Sequence, residues 1–146
     1  MLLPPEFKRL LSALSLKKVE YLVVGGYAVI YHGYVRTTGD LDIWVALDAE
    51  NAAKVEAAIR SMGFNPPGLR AEWLMRKGAV LRIGQEPLRF DIINDIDGVT
   101  FRECYARRVE AEIDGVQVRI ISLSDLKTNK KASRRNKDLA DLDYLP

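Results

Sequence analysis

The sequence predicts an α/β (α+β) fold, a mixed β-sheet with helices packed on it. Three observations carry this. Short apolar runs of strand length alternate with segments whose apolar residues recur at helical spacing. One such run, Leu22-Val23-Val24, breaks at Gly25-Gly26 and passes into a short apolar helix, Tyr27 to Tyr31. A second strand then opens on alternating acids, Asp40-Leu41-Asp42-Ile43-Trp44-Val45.

Size and composition bound the rest. The chain of 146 residues has room for one domain, 1–146, with a core over about 19–121 and a basic helical segment over 122–146. A net charge of +2 is too small to indicate a nucleic-acid binder by itself. The one cysteine, Cys104, excludes an internal disulfide and suits a reducing, cytoplasmic setting. Met1-Leu2-Leu3-Pro4-Pro5 leads directly into charged residues, so neither a signal peptide nor a membrane span is expected.

Pro4-Pro5 suits the opening of a helix, and Phe7, Leu10, Leu11 and Leu14 give Glu6 to Leu16 one apolar face. The first strand covers Tyr21 to Val24 and the second Asp40 to Ala46. Asp48 caps a helix over Ala49 to Met62, with Ala52, Val55, Ala58, Ile59 and Met62 on one stripe. Gly63 and then Asn65-Pro66-Pro67-Gly68 stop it. A short helix over Ala71 to Arg76 is followed by strands Ala79 to Ile83 and Leu88 to Ile93, joined by Gly84-Gln85-Glu86-Pro87. Thr100 to Ala106 reads as a short helix. Asp114-Gly115 is a hairpin turn between Val109–Ile113 and Val116–Ile121. Ser122 or Ser124 caps the last helical region.

The acid strand carries the chemistry. Strand side chains alternate, so Asp40 and Asp42 share a face while Leu41, Ile43 and Val45 point into a core. Two carboxylates on one face repel unless solvent or a cation lies between them. Oxygen-only ligands suit magnesium or manganese rather than zinc. The glycine pair allows a sharp turn and close backbone approach to a ligand. A helix opening there offers N–H groups to an anion. An acid pair facing such a loop suits a nucleoside triphosphate. On the later strand Arg89, Asp91 and Ile93 face one way and Phe90 and Ile92 the other, which leaves Asp91 as an acid in an apolar strand.

Gly25-Gly26, thirteen intervening residues and Asp40-Leu41-Asp42-Ile43 together resemble the signature of the polymerase-beta-like nucleotidyltransferase superfamily. The run Arg36-Thr37-Thr38-Gly39-Asp40-Leu41-Asp42 is most like its small branch of abortive-infection and toxin–antitoxin nucleotidyltransferases. The resemblance implies a minimal nucleotidyltransferase fold and transfer of an NMP from an NTP to a hydroxyl, with release of pyrophosphate. It implies two Mg2+ (or Mn2+) ions about 3.5–4 Å apart, bridged by Asp40 and Asp42, with Asp91 completing one site. Gly25 and Gly26 would hold the triphosphate through backbone N–H groups. Arg36 and Thr38, and by likeness to a C-terminal Leu-x-x-Lys and Arg-x-Lys-Asp run, Lys127, Lys131, Arg134 and Lys137, are candidate phosphate contacts. Asp138 and Asp141 would orient these basic groups. The acceptor would be RNA, such as a tRNA end, or protein, in a toxin–antitoxin or phage-defence setting with a cognate partner.

Plainer readings stand beside these. Asp91 could serve a structural ion pair with Arg89 or Arg82, and Asp95 is a weaker rival for its place. The six basic residues within Lys127–Lys137 could form a solvated helix face. Trp44 is read as packing, His32 as a helix-end residue and Cys104 as packed. Two other functions compete: a non-catalytic nucleotide-binding or antitoxin-like module, and nucleotidyl transfer to a small molecule such as an aminoglycoside.

Overall fold

In a computed structural model, which describes residues 1–85 and 87–146, the chain forms one mixed sheet flanked by helices. In chain order the elements are α1 (Pro5–Leu16), β1 (Tyr21–Val24), α2 (Gly25–Tyr31), β2 (Asp40–Val45), α3 (Ala49–Ser61), α4 (Ala71–Leu74), β3 (Val80–Gln85), β4 (Leu88–Ile93), α5 (Phe101–Ala106), β5 (Val109–Ile113), β6 (Val116–Ile120), α6 (Leu123–Ser133) and α7 (Asn136–Tyr144). The six strands run in the order β3-β4-β2-β1-β6-β5. β2 pairs antiparallel with β1 but parallel with β4, and β1 pairs parallel with β6, so the sheet is mixed at its centre.

Register sorts the side chains onto two faces. One carries Leu41, Ile43, Val45, Phe90, Ile92, Leu81 and Ile83, all buried. The other carries Asp40, Asp42, Trp44, Arg89, Asp91 and Arg82, with Leu22 and Val24 beside them on β1. The apolar stripes of α1 (Phe7, Leu10, Leu11, Leu14) and α3 (Ala52, Val55, Ala58, Ile59) are buried in the main core. Removing such side chains from water stabilises the fold by roughly 1.5–3 kcal/mol each for the larger ones.

Most expected boundaries hold to within one or two residues, as helix and strand ends usually allow. The differences have local causes. α2 begins at Gly25 rather than at Tyr27, because Gly25 takes φ +67° and turns the chain out of β1 at once. β3 extends through Gly84 and Gln85, whose register partners are Arg89 and Leu88; the expected turn therefore shortens, and Glu86 within it lies outside the described residues. The last helical region is two helices. They are broken at Arg134, which adopts left-handed φ 56°. Ser122, not Ser124, caps α6, accepting from the Asp125 N–H at 3.1 Å. Asp48 caps α3 as expected, accepting from the Asn51 N–H at 2.8 Å. Asp114 and Gly115 both take positive φ at the β5–β6 hairpin.

Candidate active site

The acid face is built by register. Asp42 on β2 stands beside Asp91 on parallel β4, and beside Val24, the last residue of β1. The Gly25 turn lies directly over Asp42. A Cβ on Gly25 would overlap the Asp42 carboxylate, lying 3.1 Å from its Cγ with Oδ2 closer still. A Cβ on Gly26 would stand 2.5 Å from Thr38 Oγ1. Both positions therefore need glycine for space, and Gly25 needs it for φ as well. Asp40, Asp42, Asp91, Gly25, Gly26 and Thr38 are thus gathered in one place.

The two outer acids carry arginines. Arg89 donates from Nε and Nη2 to the two oxygens of Asp40, at 3.3 and 3.2 Å. Arg82 donates likewise to Asp91, at 3.0 and 3.2 Å. Each pair is also a cross-strand register pair, Asp40 with Arg89 and Asp91 with Arg82. Asp42, between them, has no ion pair among the described residues. Burial pushes its carboxyl up, the charges of Asp91 and Asp40 add to the shift, and the more distant Lys137 and Lys130 only partly oppose it; the result is about 6.

A hard divalent ion suits this set, since all three donors are carboxylates. Among the described residues, however, no three His, Cys, Asp or Glu side chains are gathered tightly enough to hold a metal ion. Arg89 and Arg82, bound in bidentate fashion, occupy the oxygens of Asp40 and Asp91 that an ion would need.

Two hollows flank Asp42. The larger, about 700 Å3, is lined by Gly26, the 36–40 loop, Pro87, Leu88, Arg89 and Lys137. The smaller, about 300 Å3, is lined by Gly25 and Asp42 with Asp95, Asp97, Lys130 and Arg135 among others. At its far end the acid face is sealed by Trp44, buried edge-to-face on Phe101 with ring centroids 5.2 Å apart.

The C-terminal helices reach this site through a buried charge network that the sequence left unread. Lys130 Nζ contacts Asp138 Oδ1 at 2.8 Å and Asp141 Oδ2 at 3.1 Å. Arg36 pairs with both oxygens of Asp141, at 2.9 and 3.0 Å. Asp138 also accepts from Arg135 Nε at 2.8 Å and from the Ser133 hydroxyl. Burial alone would raise the Asp138 carboxyl, but the bonds from Lys130, Ser133 and Arg135 outweigh it and hold it at about 2. Asp138 and Asp141 thus pair with Lys130, Arg135 and Arg36 and, among the described residues, not with the expected Lys127, Lys131, Arg134 or Lys137.

Of the other basic candidates, Lys137 lines the larger hollow. Lys127 turns away to the Pro146 carbonyl. Lys131 and Arg134 are exposed and line neither hollow. The Arg82–Asp91 pair was among the sequence expectations; the placement of Lys130 and Arg135, and of Arg89 on Asp40, was not. Pairing across strands and between helices has no local signal, although the i,i+8 spacing of Lys130 and Asp138 was visible. Asn94 is a buried clamp that accepts from the Gly78 N–H and donates to the Leu74 and Arg76 carbonyls. His32 ends α2 and contacts the Ile121 carbonyl at 2.7 Å, remote from the acids.

A glycine turn over registered carboxylates, on this mixed sheet, defines a nucleotidyltransferase. Residues 6–145 match the family model described as aminoglycoside-2''-adenylyltransferase, and the chain belongs to that family. Solved structures agree on the fold. A Thermotoga maritima protein assigned as a nucleotidyltransferase superposes with TM-score 0.66 at 16% identity, over 97% of this chain and 91% of that one. The antibiotic-resistance factor ANT(2'')-Ia, in solution, gives TM-score 0.59 at 17% identity, over 94% of this chain and 79% of that one. The same factor in complex with adenylyl-2''-tobramycin gives 0.58 at 16%, over 95% and 84%. At such identities the likeness establishes the fold alone. A comparison with curated proteins finds no match. Among the described residues, no helix is long and apolar enough to cross a membrane.

Proposed function

We propose that this protein transfers a nucleoside monophosphate, AMP from ATP, to a hydroxyl of a small amine-bearing acceptor such as an amino sugar. One observation carries the transfer itself: Asp42 stands beside Asp91 and directly beneath the Gly25 turn. Membership of an adenylyltransferase family supports ATP as the donor. Asp40, Asp42 and Asp91 would hold the divalent ions, Mg2+ or Mn2+, which supply Lewis acidity at the α-phosphate and lower the pKa of the attacking hydroxyl. Gly26, Thr38, Arg36 and Lys137 line the side suited to the triphosphate, where backbone amides and cations favour anionic oxygens. The tie from Arg36 to Asp141 keeps the 36–39 loop beside Gly26.

The acceptor class rests on charge. In the smaller hollow Lys130 and Arg135 are paired with Asp138 and Asp141, which leaves Asp95 and Asp97 facing the space. That residual negative charge favours an amine-bearing acceptor. It also weakens the RNA reading, because Lys127, Lys130 and Arg135 of the six-residue basic run are engaged within the chain. RNA or protein as acceptor, and a toxin–antitoxin or phage-defence partner, remain the rival reading, favoured by the exposed Lys131, Arg134 and Lys137.

The test is label transfer from each of the four α-labelled NTPs, with Mg2+ or Mn2+, to an amino-sugar panel, total RNA and lysate protein. The double variant Asp40→Ala/Asp42→Ala is the control. Label from ATP in the amino-sugar fraction, lost in the control, supports the proposal. Label in RNA or protein instead replaces the acceptor. No transfer to any fraction, with ATP still bound, moves the reading to a binding module.

A further inference from the structure

Two of the three carboxylates on the acid face already hold a cation, and the sheet itself provides it. Arg89 is the register partner of Asp40, and Arg82 that of Asp91. Each guanidinium spans both oxygens of its acid. A guanidinium in that pose competes with a divalent ion for the same lone pairs.

The two arginines differ in where they stand. The Arg82 side chain is 55% exposed on β3 and lines neither hollow. The Arg89 side chain is 23% exposed and lines the larger hollow with Gly26, Arg36, Thr38 and Lys137. Arg89 is therefore next to the space assigned above to the triphosphate.

Resting on the nucleotidyl-transfer reading, we infer that Arg89 is a positioning residue that exchanges one anion for another. Before substrate binds it holds Asp40 and offsets the repulsion between Asp40 and Asp42. When a nucleotide enters the larger hollow, its phosphate chain takes the guanidinium and frees the Asp40 oxygens for the divalent ion. A phosphate chain offers pairs of anionic oxygens that the planar guanidinium fork can span, so the exchange has a partner to run toward. Metal and nucleotide then bind with positive coupling, and each raises the affinity of the other by the same factor.

The experiment measures Mn2+ binding to the full chain by electron paramagnetic resonance, with and without an ATP analogue carrying a methylene bridge between the α- and β-phosphorus. Asp42→Asn reports whether the bound ion is at the acid face. In the unmodified protein the analogue is expected to tighten Mn2+ by about tenfold, within the usual range of such couplings. Arg89→Met keeps the stem and removes the charge. It is expected to bind Mn2+ alone about tenfold more tightly than the unmodified protein, to bind the analogue less tightly, and to lose most of the coupling. A merely structural role would weaken both ligands, not strengthen one. Arg89→Lys, with a single ammonium in place of the fork, gives an intermediate gain and serves if the methionine variant does not fold. Mn2+ affinity unchanged or reduced in a folded Arg89 variant overturns the inference, and leaves the transfer reading standing if Asp42→Asn still abolishes binding. Mn2+ bound by no form at all removes the transfer reading, and the inference with it.

Discussion

Asp42 and Asp91 stand opposite one another on parallel strands, and only Asp91 has an arginine to answer its charge. Desolvation of the half-buried Asp42 carboxyl, with the charges of Asp91 and Asp40, pushes it up to about 6. This asymmetry within one pair makes the site readable by stability as well as by activity.

The first prediction follows from it. A carboxyl whose folded pKa lies above its unfolded value favours folding at low pH and opposes it at high pH. Without metal, the folded state should lose stability between about pH 4 and pH 6, reaching about 3 kcal/mol from this group above that window. Asp42→Asn removes the titration. It should be more stable than the unmodified protein at pH 7.5 in EDTA, with the gap closing near pH 4. It should also lose any stabilisation by Mg2+ and ATP. Urea unfolding across that pH range measures both, and a gap that does not change with pH would refute the assignment.

The second concerns the buried network. Lys130 is 3% exposed, and Asp138 and Asp141 are 1% and 2% exposed. Lys130→Met leaves two buried carboxylates short of a cation, which should cost about 3 kcal/mol at neutral pH. The opposite pH trend applies here. Asp138, held at about 2, contributes stability that is fully present above about pH 4 and is lost as pH falls through 2. Acid unfolding of Lys130→Met should therefore begin at higher pH than in the unmodified protein.

The glycine turn supplies a third. Gly25→Ala adds a Cβ at φ +67° and drives it against Asp42. The left-handed backbone alone costs about 1–2 kcal/mol, and displacing Asp42 should lower transfer by more than tenfold. Gly26→Ala has no such φ strain and meets the side chains of Thr38 and, at 3.4 Å, Arg36, so its stability loss should be the smaller. Calorimetry and label transfer on the two variants give the ranking.

Cys104 makes a fourth. The thiol is fully buried, and burial, with the neighbouring Asp125, pushes it up to about 12. It should be inert to an aromatic disulfide reagent at pH 8 in the native state and react at once in denaturant. Rapid native labelling would show that α5 opens far more readily than its packing implies.

Much of this was written locally. The Gly25-Gly26 break, the Asp40–Asp42 alternation and the isolated Asp91 are patterns over a few residues, and backbone geometry converts each directly into a turn or a face. Helix stripes such as Phe7, Leu10, Leu11 and Leu14 were legible for the same reason. Strand order was not, since nothing in Leu88–Ile93 announces that it lies parallel to β2 and brings Asp91 level with Asp42.

The charges of the site were decided by assembly. From sequence alone Lys130 and Arg135 were indistinguishable from surface cations, and Arg36 was read only as a phosphate contact. Folding sets Arg36 on Asp141 and Lys130 on two aspartates, and turns a basic run into a largely neutral brace. An ion pair is chosen by which side chains share a buried space, across separations of 8 residues for Lys130–Asp138 and 105 for Arg36–Asp141. Periodicity carries no information at those distances. The sequence thus dictates which residues face which way along each element, because that follows from bond geometry. Which charges remain available to a substrate follows from the packing of elements against one another, because only there do desolvation and proximity act together.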